Sequence, residues 1–321
     1  MSAVLEIRGL SKSYGRSWLS PLLGADGVIR AVDGVSFTVA RGEAVALLGP
    51  NGSGKTTTLR CVAGLLRPDA GSIRVAGFDL ARQPRAARRR FSYVPQQACF
   101  PPHLTVREVV ELHARLRGVG AERVEAALRQ AGFAAADEER RTEELSGGMR
   151  QRLSLAVAET PPVELMVLDE PTANLDPQGA LELRALARRW RDEGRAILFS
   201  THVLTDVMEL ADRVVVMVAG RAVLEESRGE LRERLGRFAV LRVDVGEPGP
   251  AHVEAALAAG ASRAELNSRA VIVTAPAERR FAILQRLAEL GTVHHFETEK
   301  PSLERVYVEY VDQSREASDE L

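Results

Sequence analysis

From Val4 to about Glu225, short apolar runs alternate with stretches of helical periodicity. That alternation marks a layered α/β fold. Val4–Arg8 and Val32–Ala40 read as strands, Glu43–Leu48 as a buried strand ending in a glycine-rich turn, and Lys55 to about Ala63 as the next helix. Ser72–Ala76 and Phe91–Val94 add two more strands. Thr105–Arg117 and Glu122–Gln130 then read as consecutive helices, so an all-helical insertion, about residues 98–160, interrupts the core. The apolar runs Leu165–Leu168, Ala196–Ser200 and Arg213–Val218 have helices between them and predict a sheet covered on both faces.

Past Glu225 the pattern changes. A linker over residues 226–237, helical at about Gly229–Leu235, leads to a second unit over 238–321. Phe238–Val243 reads as a strand, Ala251–Ala259 as a helix, and Ser262–Leu266 with Val271–Thr274 as a strand pair turning at Asn267-Ser268. Ala277–Leu290 reads as a helix and Val293–Thr298 as a last strand, before a short helix from Leu303 and a polar tail. The order β-α-β-β-α-β predicts a small ferredoxin-like split βαβ domain.

Composition narrows the setting. The 321 residues suffice for one large domain and a smaller one, and 45% hydrophobic content supports a sizeable core. A formal net charge of -1 gives no general attraction to nucleic acid, so none is expected as a partner. Cys61 and Cys99 have no metal-ligand or redox spacing and read as ordinary thiols of a reducing compartment. The N-terminal residues lack a basic-then-apolar leader, and no apolar run is long enough to cross a bilayer. The expected location is therefore cytoplasmic, with any membrane role supplied by a partner. Lysine occurs only at Lys12, Lys55 and Lys300 amid abundant arginine, which draws attention to sites needing a compact ammonium.

Lys55 sits in such a site. Gly49-Pro50-Asn51-Gly52-Ser53-Gly54-Lys55-Thr56 satisfies the phosphate-loop pattern, after a strand and at the start of a helix. Its glycines let backbone N–H groups curl inward toward phosphate oxygens, and the helix N-terminus adds partial positive charge. Lys55 is placed to reach the β- and γ-phosphates and Thr56 to ligate Mg²⁺, with Thr57 next to it. In Leu165–Glu170, Asp169 emerges at the carboxyl end of an apolar strand, placed to hold Mg²⁺, while Glu170 is positioned to polarise an attacking water. A chance glycine turn and a solvated acidic pair are the plain alternatives, and their co-occurrence argues against both.

Those two motifs specify a P-loop NTPase. Leu145-Ser146-Gly147-Gly148-Met149-Arg150-Gln151 adds a second helix start with a serine and free backbone N–H groups. It reads either as a second phosphate site or as a capped helix. One nucleotide cannot occupy two distant helix N-termini of one chain, so a phosphate role predicts two copies arranged head-to-tail.

With these motifs in place, residues from roughly Leu5 to Glu225 resemble the ABC ATPase family, and Leu145–Gln151 matches its signature motif. The resemblance implies an ABC ATPase fold, with a mixed-sheet core and a helical subdomain. It implies that Tyr14 stacks on adenine and that Gln96, in Tyr93-Val94-Pro95-Gln96, senses Mg²⁺ and couples to the membrane domain. Asn174-Leu175-Asp176 matches the D-loop, with Asp176 near the nucleotide, and His202 matches the switch histidine beside the γ-phosphate. The implied catalytic set is Glu170, His202, Lys55 and Gln96, with Mg²⁺ held by Thr56, Gln96 and Asp169 and ATP as the nucleotide. The implied partners are an integral membrane permease on a separate chain and a second ATPase subunit, in a homodimer or a heterodimer. The implied location is peripheral, on the inner face of the cell membrane.

Departures and details refine this. Arg16–Arg30 is longer than the family's usual link, and Glu159-Thr160 stand where relatives carry apolar residues, which puts the end of that helix in question. Arg88-Arg89-Arg90 reads as a solvated helix face. Lys300-Pro301-Ser302-Leu303-Glu304 is similar to the close of drug-, ion- and polysaccharide-export ATPases that serve ABC-2 type membrane partners, which favours export. The expected function is thus ATP hydrolysis driving transport. The rivals are a non-transport ABC ATPase acting on DNA or ribosomes, and a regulatory module with a crippled site.

Overall fold

The structure is a computed structural model and describes residues 3–15, 28–173 and 175–299. Residues 16–27 of the long link, Asn174 of the D-loop match, and the closing segment from Lys300 onward lie outside the described residues. Two compact units divide between Glu226 and Ser227.

The first unit is built on two sheets. One is antiparallel, in the order β2-β1-β4-β5, from β1 (Ala3–Tyr14), β2 (Ile29–Ala40), β4 (Ala70–Val75) and β5 (Phe78–Asp79). β1 and β2 run well beyond the predicted Val4–Arg8 and Val32–Ala40, because their distal ends pair through register shifts after Ile7. At the bulge Gly9 takes φ 59 and its N–H donates to Ser36 Oγ at 2.8 Å. Bulged pairing breaks the strict alternation on which strand prediction rests.

The second sheet has the order β10-β9-β3-β8-β7-β6. It comprises β3 (Ala44–Leu48), β6 (Phe91–Val94), β7 (Leu165–Asp169), β8 (Ala196–Thr201), β9 (Arg213–Val218) and β10 (Arg221–Ser227). From β9 through β6 neighbouring strands pair in parallel. β3, β7 and β8 are buried at every position, as strands covered on both faces must be. The order matters for function. β3, β8 and β7 are neighbours, with Leu48 level with Thr201 and Asp169 level with Ser200, so their carboxyl ends open onto one crevice.

α1 (Lys55–Val62) leaves β3 through the glycine loop. α2 (Pro84–Arg88), too short to show a period, precedes β6. The insertion comprises α3 (Val106–Arg117), α4 (Ala121–Gln130), α5 (Ala135–Glu138) and α6 (Gly147–Glu159), around its own core of Val109, Val110, Leu128, Phe133 and Leu153 among others. Thr105 and Glu108 form a capping box at the start of α3, and Gly118 ends it in the left-handed conformation. α7 (Pro177–Asp192) and α8 (Leu204–Leu210) link the later strands.

α6 runs through Glu159, and the polar pair there has a specific use. The Trp190 indole N–H donates to the buried Glu159 carboxylate, Arg195 adds contacts of 3.2 and 3.3 Å, and Thr160 Oγ1 donates to Ala156 O at 2.8 Å. Burial pushes the Glu159 carboxyl up from its ordinary value, against the pull of Arg195 and Trp190.

The second unit starts with α9 (Arg228–Gly236), capped by a Ser227/Glu230 box. Then come β11 (Phe238–Asp244), α10 (Pro250–Ala258), β12 (Arg263–Leu266), β13 (Ala270–Pro276), α11 (Arg280–Ala288) and β14 (His295–Glu299). The sheet is antiparallel in the order β12-β13-β11-β14, the arrangement a split βαβ unit gives. Its helices pack on one face over Leu241, Val243, Val271, Val273, Ile283 and Leu287. The predicted helix from Ala277 begins as a 3₁₀ turn, and the α-helix proper starts at Arg280.

Candidate active site

The glycine loop is shaped by close approaches that no side chain permits. A Cβ on Gly49 would collide with the Met217 carbonyl and stand 2.7 Å from Ser53 Oγ. Gly54 has φ +100, and a Cβ there would collide with the Ala31 carbonyl oxygen. The loop is further fixed by the Ser53 N–H on Pro50 O at 3.2 Å and the Gly220 N–H on Ser53 O at 3.1 Å. Ser53 Oγ is buried without a partner among the described residues. Lys55 is 4% exposed, and its Nζ donates to Gly49 O at 2.7 Å and Pro50 O at 3.0 Å, so the ammonium lies over the loop. Burial lowers the Lys55 pKa, opposed by the charges of Glu170 and Asp169.

The carboxylates meet this loop from β7. Asp169 Oδ1 accepts from Thr56 Oγ1 at 3.0 Å and from Ser200 Oγ at 2.7 Å, and Oδ2 accepts from Tyr93 OH at 3.4 Å. Glu170 has φ 45, a left-handed backbone that costs an L residue about 1–3 kcal/mol and concentrates at functional sites. Its N–H donates to Ser200 Oγ at 2.9 Å. Its carboxylate lies between two groups, with Gln96 Nε2 donating to Oε2 at 3.1 Å and His202 Nδ1 at 3.3 Å from Oε1. Lys55, Thr56, Asp169, Glu170, Gln96 and His202 therefore form one cluster, drawn from three neighbouring strand ends and one loop.

Other predicted residues stand apart from it. Tyr14 ends β1 level with Ile29 and is 41% exposed. Asn51 and Gly52 are exposed on the loop, and Pro50 is exposed beside them. Ser146 is exposed at the start of α6, and its Oγ accepts from the Met149 N–H at 3.2 Å. Among the described residues no hydrogen bond joins Ser146, Gly147 or Gly148 to the phosphate loop. Asp176 caps α7, accepting from the Gly179 N–H at 2.8 Å.

Sequence reasoning missed Ser200 and Tyr93. Ser200 bridges Asp169 and the Glu170 backbone, a role set by the parallel register of β7 and β8. The Tyr93 phenol is pushed up to about 12, chiefly by burial and then by the Asp169 charge. Only its place near the end of the strand beside β7 could have signalled it.

A cleft of about 700 Å³ borders this cluster at Tyr93 and Pro95 and is lined further by Phe91, Phe100, His113, Arg88 and Arg117 among others. Arg117 crosses its wall, donating to Arg88 O at 2.8 Å and Phe91 O at 3.0 Å.

A family model for ABC transporters matches residues 32–173. The chain is similar to the daunorubicin resistance ATP-binding protein DrrA3 of Streptomyces coeruleorubidus, 35% identical over 89% of this chain and 92% of that protein. It is 33% identical to the Nod factor export ATP-binding protein I of Rhizobium etli, over 88% of this chain and 86% of that one. A solved structure of an ATP binding subunit of an ABC transporter superposes with a TM-score of 0.64 at 30% identity, covering 73% of this chain and 93% of the other.

Proposed function

The chain belongs to the ABC transporter family as an ATP-binding, ATP-hydrolysing subunit of an export system, and from that premise we propose how its residues divide the work. The loop amides of Gly49–Thr57 and the Lys55 ammonium hold the β- and γ-phosphates, and Tyr14 stacks on adenine. The Thr56 hydroxyl, the Asp169 carboxylate and the Gln96 amide oxygen are hard oxygen donors that suit Mg²⁺, which when bound neutralises phosphate charge. Glu170 orients water and takes its proton as the water attacks the γ-phosphorus. His202 orients the γ-phosphate, and Gln96 reports occupancy.

The observation that carries this reading is the setting of Glu170. A left-handed backbone aims its carboxylate between Gln96 and His202, one residue beyond the Asp169–Thr56 pair. Ala76 and Ala219 share that left-handed backbone at turns, so it is the combination with the Gln96 and His202 contacts and the neighbouring Asp169–Thr56 pair that supports the catalytic reading.

Ser146, Gly147 and Gly148 do not reach the phosphate loop of their own chain, which supports a working dimer in which they close over the nucleotide of a second copy, with Asp176 at the same boundary. Closure on ATP and opening after hydrolysis then form the power cycle. No helix among the described residues is long and apolar enough to cross a membrane; in this reading the chain sits peripherally on the inner face of the cell membrane, attached through an integral permease subunit on a separate chain. The cleft beside the Gln96 segment, apolar at Phe91 and Phe100 with Arg88 and Arg117 on its walls, is where that subunit docks.

A mild-detergent pull-down from native membranes tests the reading. A co-purifying multi-span protein is the expected result. Recovery of DNA- or ribosome-associated proteins alone would leave the ATPase standing and remove the transport role.

A further inference from the structure

Asp206 lies on α8, is 4% exposed, and takes no part in the chemistry of nucleotide binding and hydrolysis assigned to the cluster. Its Oδ2 accepts from Thr172 Oγ1 at 2.5 Å and from Thr201 Oγ1 at 3.2 Å, and its Oδ1 is 3.5 Å from the Arg184 guanidinium. Thr201 Oγ1 in turn accepts from the Val203 N–H at 3.0 Å. These partners belong to three separate segments. Thr172 is two residues beyond Glu170, Thr201 immediately precedes His202, and Arg184 lies on α7, the helix Asp176 caps.

A buried carboxylate is costly to desolvate and persists only where several donors satisfy it. Neutral hydroxyls alone could have bonded to nearby backbone. A carboxylate instead accepts from several donors at once, and here it ties the segment after β7 to the segment after β8 and to α7. The loop after Glu170 has other anchors among the described residues, including the Leu175 N–H on Thr172 O at 3.1 Å. The Glu170 N–H is held by Ser200, Ala173 N–H donates to Glu170 O at 3.2 Å, and Gln151 Nε2 donates to Pro171 O at 3.3 Å. A left-handed glutamate relaxes unless its surroundings over-determine it.

We propose that Asp206 is a positioning residue for hydrolysis, clamping the loop after Glu170 to the loop that carries His202 so that both side chains face one γ-phosphate. The clamp rests on the catalytic assignment of Glu170 and His202. It acts through hydroxyl donors, so the hydroxyls make the test specific. Replacing Asp206 itself strands Arg184 in a buried position and risks the fold.

Phosphate release by the full-length chain is measured against ATP concentration for Thr172→Val, Thr172→Ser, Thr201→Val and the double valine variant, with Glu170→Gln alongside. Thr172→Val is expected to lower kcat about tenfold, the effect of losing one positioning contact. KM for ATP should stay within about twofold, because the phosphate loop is untouched. Thr172→Ser should restore kcat, and the double variant should lose less than the product of the single losses, since both act through one carboxylate. Wild-type turnover by Thr172→Val while Glu170→Gln is inactive would overturn the clamp alone. Failure of Thr172→Ser to rescue would also overturn it, assigning the effect to packing of the methyl group. Wild-type turnover by Glu170→Gln would remove the catalytic assignment and the clamp together.

Discussion

Gly54→Ala probes whether the glycine loop owes its shape to close backbone approach. Gly54 has φ +100, and a Cβ built on it collides with the Ala31 carbonyl oxygen while meeting Ala31 C and Gly220 Cα at 3.4 Å each. The obstacle is backbone from β2 on one side and the turn before β10 on the other, so no rotamer change relieves it. A left-handed backbone costs an L residue about 1–2 kcal/mol, and forcing an extra carbon into packed structure costs about 1–3 kcal/mol. Together that is about 2–5 kcal/mol, and at about 1.4 kcal/mol per tenfold it corresponds to a loss of roughly 30-fold to a few thousand-fold in ATP affinity if the nucleotide-binding shape bears it all. The loop can escape by retreating from β2, but retreat moves the N–H groups that hold phosphate. Titration with a fluorescent ATP analogue, paired with thermal melting, reads both routes. Gly52→Ala is the control, with φ +82 but no atom within 4 Å of its Cβ, so only the backbone strain applies and the loss stays near tenfold. If Gly54→Ala bound ATP and melted like the wild type, the argument from close approach would be wrong.

Three other substitutions test further contacts. Ser146→Gly keeps a glycine-compatible cap and should cost only a few tenths of a kcal/mol in stability, yet phosphate release should fall at least tenfold, since a transition-state hydroxyl contact is worth about that or more; unchanged release would remove Ser146 from the second copy's site. Burial raises the Glu159 carboxyl, so its contribution to stability is complete below the ordinary carboxylate range and is lost as pH rises through the raised value. Glu159→Gln, which keeps an acceptor for Trp190, should therefore gain in urea midpoint relative to wild type between acidic and neutral pH; the opposite slope would show that the charged pair with Arg195 is net stabilising. Glu159→Ala, by contrast, leaves the buried indole N–H unpaired and Arg195 with Glu193 alone, and should cost about 1–3 kcal/mol in a denaturant titration.

Much of the architecture was legible because its strongest signals are local. The apolar runs that open β3, β7 and β8 read as strands covered on both faces, and the glycine loop at the end of β3 marks where α1 begins. The same adjacency put Lys55, Thr56, Asp169 and Glu170 at the ends of those runs, where the structure brings them into one cluster. The distal halves of β1 and β2 were not legible, since Lys12, Ser13 and Arg30 carry no strand period and pairing there proceeds through bulges. β5 and α2 are too short for any period to register. Ser200 and Asp206 escaped for a different reason. Ser200 acts across a strand register and Asp206 across three segments, and neither relation exists in one dimension. Glu159 looked like an anomaly at the end of a helix until Trp190 and Arg195, both far along the chain, supplied its partners.

The measurement that bears most directly on the central claim is phosphate release by Glu170→Gln, run together with ATP binding and sedimentation in the presence of ATP. The amide keeps the shape and the contacts to Gln96 and His202 but cannot take a proton from water. The account predicts retained ATP binding, an ATP-dependent dimer that persists, and turnover lowered by about 10²–10⁴-fold. Wild-type turnover by this variant would contradict the account and show that the strained carboxylate between Gln96 and His202 is not what activates the water.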